Sequence, residues 1–213
     1  LSGGQYSVDM YKEMLCAPLR FASAPGAGDG SAHYFRVVKM ITTVHVMTNV
    51  FKGLLRELPV PVVPPALYST FVDRDFCKTL TTDNFAERVL ARITPACHRN
   101  PFVFLIGYVQ YLTRFADVTK MGAANLAMIF GPCLLRCPCE NPALLLQYYD
   151  TEKAFVQACI STMPERLYTA LNTTVAVRPD GSRYSGRGFE YVRTDPLAAK
   201  YGITVPDDYV PMD

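Results

Sequence analysis

Residues 100–117, NPFVFLIGYVQYLTRFAD, constrain the fold more than any other stretch of this chain. Asn100 has the side chain of an N-cap, and Pro101 suits the first helical position, where its missing N–H would have no partner anyway. Almost every position is apolar until Thr113 and Arg114, so a helix here has no face to give to water. VFLIGYV alone would also allow a strand, but the length of the run favours helix. Such a helix belongs at the centre of other helices.

Those other helices are legible on both sides. HVMTNVFKGLLREL (45–58) carries a broad apolar stripe of Val46, Met47, Val50, Phe51, Leu54 and Leu55, opposite Asn49, Lys52, Gly53 and Arg56. PVPVVPP (59–65) ends it, because successive prolines remove donors and clash with the preceding turn. A helix is expected from Pro64–Pro65 through ALYSTF. Further helices are expected at 83–93 with Asp83 as N-cap, at GAANLAMIF closed by Gly131–Pro132, and at 150–161. Tyr6, Met10 and Met14 mark a short amphipathic helix over 5–16, and the Pro/Gly-rich 17–32 reads as a loop. Strand alternation is lacking before residue 170, so the expected fold class is all-α. Two regions are expected: a helical domain over 1–171 and an extended irregular arm over 172–213. In the arm, Tyr184, Tyr191, Tyr201 and Tyr209 are spaced like anchors onto its own domain or a partner, although a partly ordered terminus is the alternative.

Composition narrows the function. Half of the 213 residues are hydrophobic, which rules out global disorder, and a net charge of +2 gives no field for nucleic acid. The sequence has no apolar run long enough to span a bilayer. Seven cysteines in apolar contexts read as reduced, intracellular thiols. Cys133, Cys137 and Cys139 lack the paired spacing and fourth ligand of a zinc site, so no metal is expected. The opening LSGGQ matches the signature of ATP-binding cassettes, but no GxxxxGK[ST] and no apolar strand ending in Asp-Glu accompany it. An ATPase reading fails.

Two stretches carry a family resemblance. HVMTNVFKGLLRELPVPVVPPALY (45–68) resembles the pattern K-x-x-L-R-E-L-P-x-P of RhoGAP domains, the GTPase-activating modules for Rho-family small GTPases. TKMGAANLAMIFGPCLLR (119–136) resembles the family's N-K-M-x-x-x-N-L-A-x-x-F-G-P-x-L-L. The resemblance covers roughly residues 1–170 and implies a RhoGAP-like helical bundle. Lys52 and Arg56, at i and i+4, share one helix face, where fixed cations would complement phosphates or acidic switch loops. Surface ion pairs with Glu57 are the competing account of the same two cations. By resemblance, Asn125 matches the family's interface asparagine, and Lys120 and Met121 match the Lys-Met before it. Thr119 stands where that pattern usually has Asn, so one polar contact is altered.

The resemblance implies assistance in trans: a Rho-family GTPase brings GTP, magnesium and a water-orienting glutamine, and this chain needs no cofactor of its own. The activator's arginine adds about 10³–10⁵ in rate. In the family that arginine sits in G-x-F-R-x-S-G, and Leu1-Ser2-Gly3 aligns with the x-S-G after it. The arginine is thus expected immediately before Leu1, with its preceding helix further upstream, so no catalytic residue is assigned within this sequence. Arg20 and Arg36 sit in no matching pattern. The alternative is a catalytically inactive GAP-like scaffold in a cytoskeletal or ciliary assembly, anchored by 172–213. A cytoplasmic or cytoskeleton-associated protein is expected either way. The expectation for these 213 residues alone is weak or absent stimulation of GTP hydrolysis. Stimulation above ~10³-fold in a multiple-turnover assay against several Rho-family GTPases would overturn it.

Overall fold

The structure is a computed structural model that describes residues 8–10, 12, 43–138, 141–172, 196–201 and 203. The expected arginine loop around Leu1, the 17–32 loop, Arg20, Arg36, Cys139 and Tyr184, Tyr191 and Tyr209 lie outside the described residues. Two compact units are present, Leu1–Pro59 and Val60–Asp213. Regular structure among the described residues is helical throughout, so the protein is all-α.

In the first unit the main element is α1, Val44–Glu57. Of its apolar stripe only Val50 is deeply buried, while Met47 and Phe51 remain partly exposed. Residues 8–10 and 12 are also helical, and Lys12 pairs with Glu57 and, at 3.8 Å, with Asp9. A Cβ on Gly53 would stand 2.8 Å from Lys12 Cδ, so the glycine makes room for the lysine's stem.

The second unit opens with the proline segment. A 3₁₀ turn at Pro65–Leu67 runs into α2, Tyr68–Phe71, followed by α3, Arg74–Lys78. Asp73 caps α3 by accepting the Phe76 N–H at 2.7 Å. Next comes a π-helical turn at Ala86–Leu90. Asp83 does not cap this stretch. Thr81 and Asn84 do so reciprocally: the Asn84 N–H donates to Thr81 Oγ1 at 3.3 Å, and the Thr81 N–H to Asn84 Oδ1 at 2.9 Å.

The central helix is α4, Ala96–Thr113, with α5 at Ala116–Thr119, α6 at Ala123–Leu134, α7 at Pro142–Thr162, α8 at Glu165–Asn172 and α9 at Pro196–Lys200. Helix α4 starts at Ala96 rather than at Pro101, so Asn100 is not its cap. Pro101 is tolerated in the second turn because it deletes only one intrahelical bond there. Phe102, Val103, Ile106 and Val109 are buried as expected, but Phe104, Tyr108 and Tyr111, at i, i+4 and i+7, are 42%, 40% and 44% exposed, so this helix does give one face to water. Phe155 of α7 stacks on Phe71 at 4.6 Å and lies 6.3 Å from Phe102, which ties α2, α4 and α7 through one aromatic column.

Helix α6 does not close at Gly131–Pro132 but runs on to Leu134. Pro132 has no N–H for the carbonyl of Met128, and the Tyr149 hydroxyl donates to that carbonyl instead, at 3.0 Å. Gly131 faces α7, and a Cβ there would lie at an ordinary contact distance, 3.5 Å, from the Glu152 backbone. Glu152 is the one buried charged residue among those described, and it accepts the Tyr68 hydroxyl at 2.7 Å. Burial pushes its carboxyl above the usual carboxylate range, and the Tyr68 bond pulls it part of the way back.

Two outcomes follow. A Cβ on Gly107 would fall 2.3 Å from Tyr168 Cβ, so α4 and α8 can touch only across a glycine. Gly107→Ala should cost about 1–3 kcal/mol, a thermal midpoint lower by roughly 2–10 °C. Glu152→Gln keeps an oxygen for Tyr68 and removes a charge that folding must desolvate. A raised folded-state pKa means that stability is lost as pH climbs from the unfolded carboxyl's value through the folded one. The Glu152→Gln variant should therefore melt higher than the parent at pH 7, with the gap closing toward pH ~4. Parallel thermal melts across that range check it.

Candidate interaction site

The four residues singled out from the sequence fall into two pairs, one in each unit. On α1, Lys52 and Arg56 stand one turn apart, Lys52 half-buried and Arg56 exposed. Glu57, the acid expected to neutralise them, gives its carboxylate to Lys12. Among the described residues Lys52 makes no ion pair, whereas Arg56 is engaged. Lys12 is the residue that sequence reasoning missed here: its partner lies 45 positions away, and no local spacing marks it.

The second pair is joined by direct contact. Helix α5 ends at Lys120, which takes up left-handed backbone with φ 58°. That conformation is rare for a residue with a Cβ, and bonds from three side chains hold it. The Asn125 side-chain amide donates to the Lys120 carbonyl at 3.0 Å. Lys120 Nζ donates to the Asp117 carbonyl at 2.7 Å, placing its charge at the C-terminal end of α5. Thr119 Oγ1 donates to the Phe115 carbonyl at 2.9 Å and accepts the Met121 N–H at 3.2 Å. Thr119, which departs from the family pattern, is thus the residue that fastens both sides of the turn.

This turn is a surface feature. Lys120 and Asn125 are exposed, Met121 is half-buried, and Val118 shows 85% of its surface. Val118 is thus an exposed apolar side chain two residues before Lys120. Nothing in the sequence distinguishes Val118 from its apolar neighbours. One turn beyond Asn125, Met128 is also partly exposed, and Tyr149 holds its carbonyl from behind. Elsewhere, Cys133 is buried with its thiol donating to the Ile129 carbonyl, and Cys137 is half-buried. Among the described residues no three His, Cys, Asp or Glu side chains gather as a metal site, and no helix is long and apolar enough to cross a membrane.

Comparison with known proteins bears on the family. The RhoGAP domain family model matches residues 33–139, half of the chain, which takes in Lys52, Arg56, Lys120 and Asn125. GTPase activating protein homolog 2 of Dictyostelium discoideum is 31% identical over 131 residues, 61% of this chain and 14% of that protein. GTPase-activating protein pac-1 of Caenorhabditis elegans is 31% identical over 55% of this chain and 7% of its own length. Rho GTPase-activating protein 24 of Rattus norvegicus is 33% identical over 50% of this chain and 14% of its own. The chain therefore spans only a small part of these relatives. Among solved structures, human Rho GTPase activating protein 15 aligns with a TM-score of 0.49 at 20% identity, covering 71% of this chain and 67% of the other.

The turn makes a prediction free of any partner. Lys120→Gly, which needs no Cβ at φ 58°, should leave the thermal midpoint unchanged or slightly higher. Lys120→Val should lower stability by about 1–2 kcal/mol. Asn125→Ala should cost about 0.5–1.5 kcal/mol and speed amide exchange at residues 120–122. Equal melting of Lys120→Gly and Lys120→Val would refute the strain argument.

Proposed function

Because the chain belongs to the RhoGAP domain family, we propose that it binds the GTP-loaded form of a Rho-family small GTPase and promotes hydrolysis there. Lys52, Arg56, Lys120 and Asn125 are its contact residues. The single observation that carries this reading is the Thr119–Asn125 turn. Its backbone is locked by its own side chains, yet it presents a cation, an amide oxygen and an open apolar side chain to the exterior. A surface built only for folding has no need of that arrangement.

Each residue has a distinct role. Lys52 holds a charge that no acid of the described chain neutralises, so a phosphate or an acidic switch loop is its natural complement. Arg56, one turn on, offers a planar fork suited to a carboxylate. Lys120 uses one of three ammonium donors on Asp117 and keeps two for a partner. Asn125 spends its N–H on Lys120, and its exposed carbonyl oxygen can accept from a partner's backbone. The nucleotide, the magnesium and the attacking water are the GTPase's in this reading. This chain's part is to fix the switch elements around them and to complement developing charge.

The test is a pair of measurements on the same proteins. Affinity for a GTP-analogue-loaded Rho-family GTPase should fall about 10- to 100-fold in Lys52→Ala, the loss expected for one charge-assisted hydrogen bond. The GDP form should bind much more weakly to both. Lys120→Gly should lose affinity without losing stability, which separates contact from folding. Unaltered binding by both variants would sink the assignment. Hydrolysis is read in parallel. Nucleotide-dependent binding without acceleration would replace the activator with a non-catalytic scaffold on the same surface.

A further inference from the structure

The second unit holds a contact well beyond the matched residues 33–139. Helix α9 and the residues after it return to the start of α4. Ala198 and Ile203 are 3% and 2% exposed, which is core burial for a five-residue helix and its exit. The Ile203 N–H closes that exit onto the Ala198 carbonyl at 2.9 Å, and the Tyr201 N–H bonds the Leu197 carbonyl at 3.2 Å. Leu197 borders a cavity of about 480 Å³ shared with Thr82, Asp83 and Pro164–Arg166, so the segment is seated between the 81–84 cap and the start of α8.

One side chain closes the seat. Arg99, in the first turn of α4, sends Nε to the carbonyls of Leu90 and Ile93, each at 3.0 Å, and Nη1 to the carbonyl of Tyr201. Leu90 ends the π-helical turn, and Tyr201 directly follows α9. Two helix C-termini, each with unpaired carbonyls and a partial negative charge, therefore converge on one guanidinium. Only a planar group with several fixed donors can serve carbonyls in two directions at once. A lysine could reach one end or the other.

We propose that residues 196–201 and Ile203 form a latch, docked in a seat of the same unit and locked by Arg99. The latch engages the first turn of α4, whereas the Thr119–Asn125 turn follows the last. Eighteen residues of helix separate those ends by roughly 27 Å. The latch thus lies at the opposite end of α4 from the Thr119–Asn125 turn. Its integrity can be measured with no partner present.

Hydrogen exchange on the full chain tests it. Arg99→Met should raise the exchange rates of the Tyr201 and Ile203 amides at least tenfold, while core amides of α4 at residues 106–109 keep theirs. Arg99→Lys should behave like Arg99→Met, because one ammonium cannot hold both helix ends. Should Arg99→Met perturb the whole unit, Ala198→Glu changes the latch from its own side and should release the same two amides with Arg99 intact, read against the unchanged amides at residues 106–109. Native-like protection of Tyr201 and Ile203 in Ala198→Glu, or full rescue by Arg99→Lys, would overturn the proposal.

Discussion

The packing of α6 on α7 beside Gly131 is the contact on which the second unit rests. Even a Cβ on Gly131 would meet the Glu152 backbone only at ordinary contact distance, 3.5 Å. That packing brings Tyr149 under the carbonyl that Pro132 leaves open, and it carries the Glu152 carboxylate inward to meet Tyr68. The Gly-Pro pair, which read in isolation looks like a helix stop, works as a joint. Proline frees a carbonyl that the neighbouring helix then uses. The aromatic column of Phe71, Phe155 and Phe102 lies further along the same helix, α7. Burying a carboxylate is the cost of this arrangement, and a tyrosine hydroxyl offsets only part of it.

The class of fold was legible because hydrophobic period and length are local properties. The run apolar on all sides at 100–117 reads as a central helix; it is helical to Thr113, but Phe104, Tyr108 and Tyr111 leave one of its faces exposed. Boundaries were less legible, since they depend on partners distant in sequence. Pro101 and Pro132 each looked like an edge and each lies inside a helix. Asp83 had the right chemistry for a cap, but Thr81 and Asn84 answer each other and leave it exposed.

The candidate site divides along the same line. The identities of Lys52, Arg56, Lys120 and Asn125 came from the resemblance to two family motifs, which is legible in one dimension. What holds Lys120 in place did not, because a lysine reads the same in a sequence whatever the sign of its φ. Only the bonds from Asn125 and Thr119 reveal it. Thr119 shows the point well. As a departure from a pattern it suggested an altered polar contact, and in the structure it makes two local ones. The ion pair expected between Glu57 and its neighbours was likewise taken by Lys12, a residue no periodicity connects to it.

Gly53 carries a further consequence. A glycine inside a 14-residue helix costs about 1 kcal/mol of intrinsic helix preference, and a helix of that length is marginal by itself. With only Val50 deeply buried, α1 has little apolar contact to make up the difference. The lysine stem lying across Gly53, and its grip on Glu57, supply restraint that the helix's own sequence lacks. The stiffness with which Lys52 and Arg56 are held out is therefore set from position 12. Side chains already ordered before an encounter surrender less entropy during it. Lys12, which need touch no partner, would then govern how much of its two cations' attraction survives as affinity.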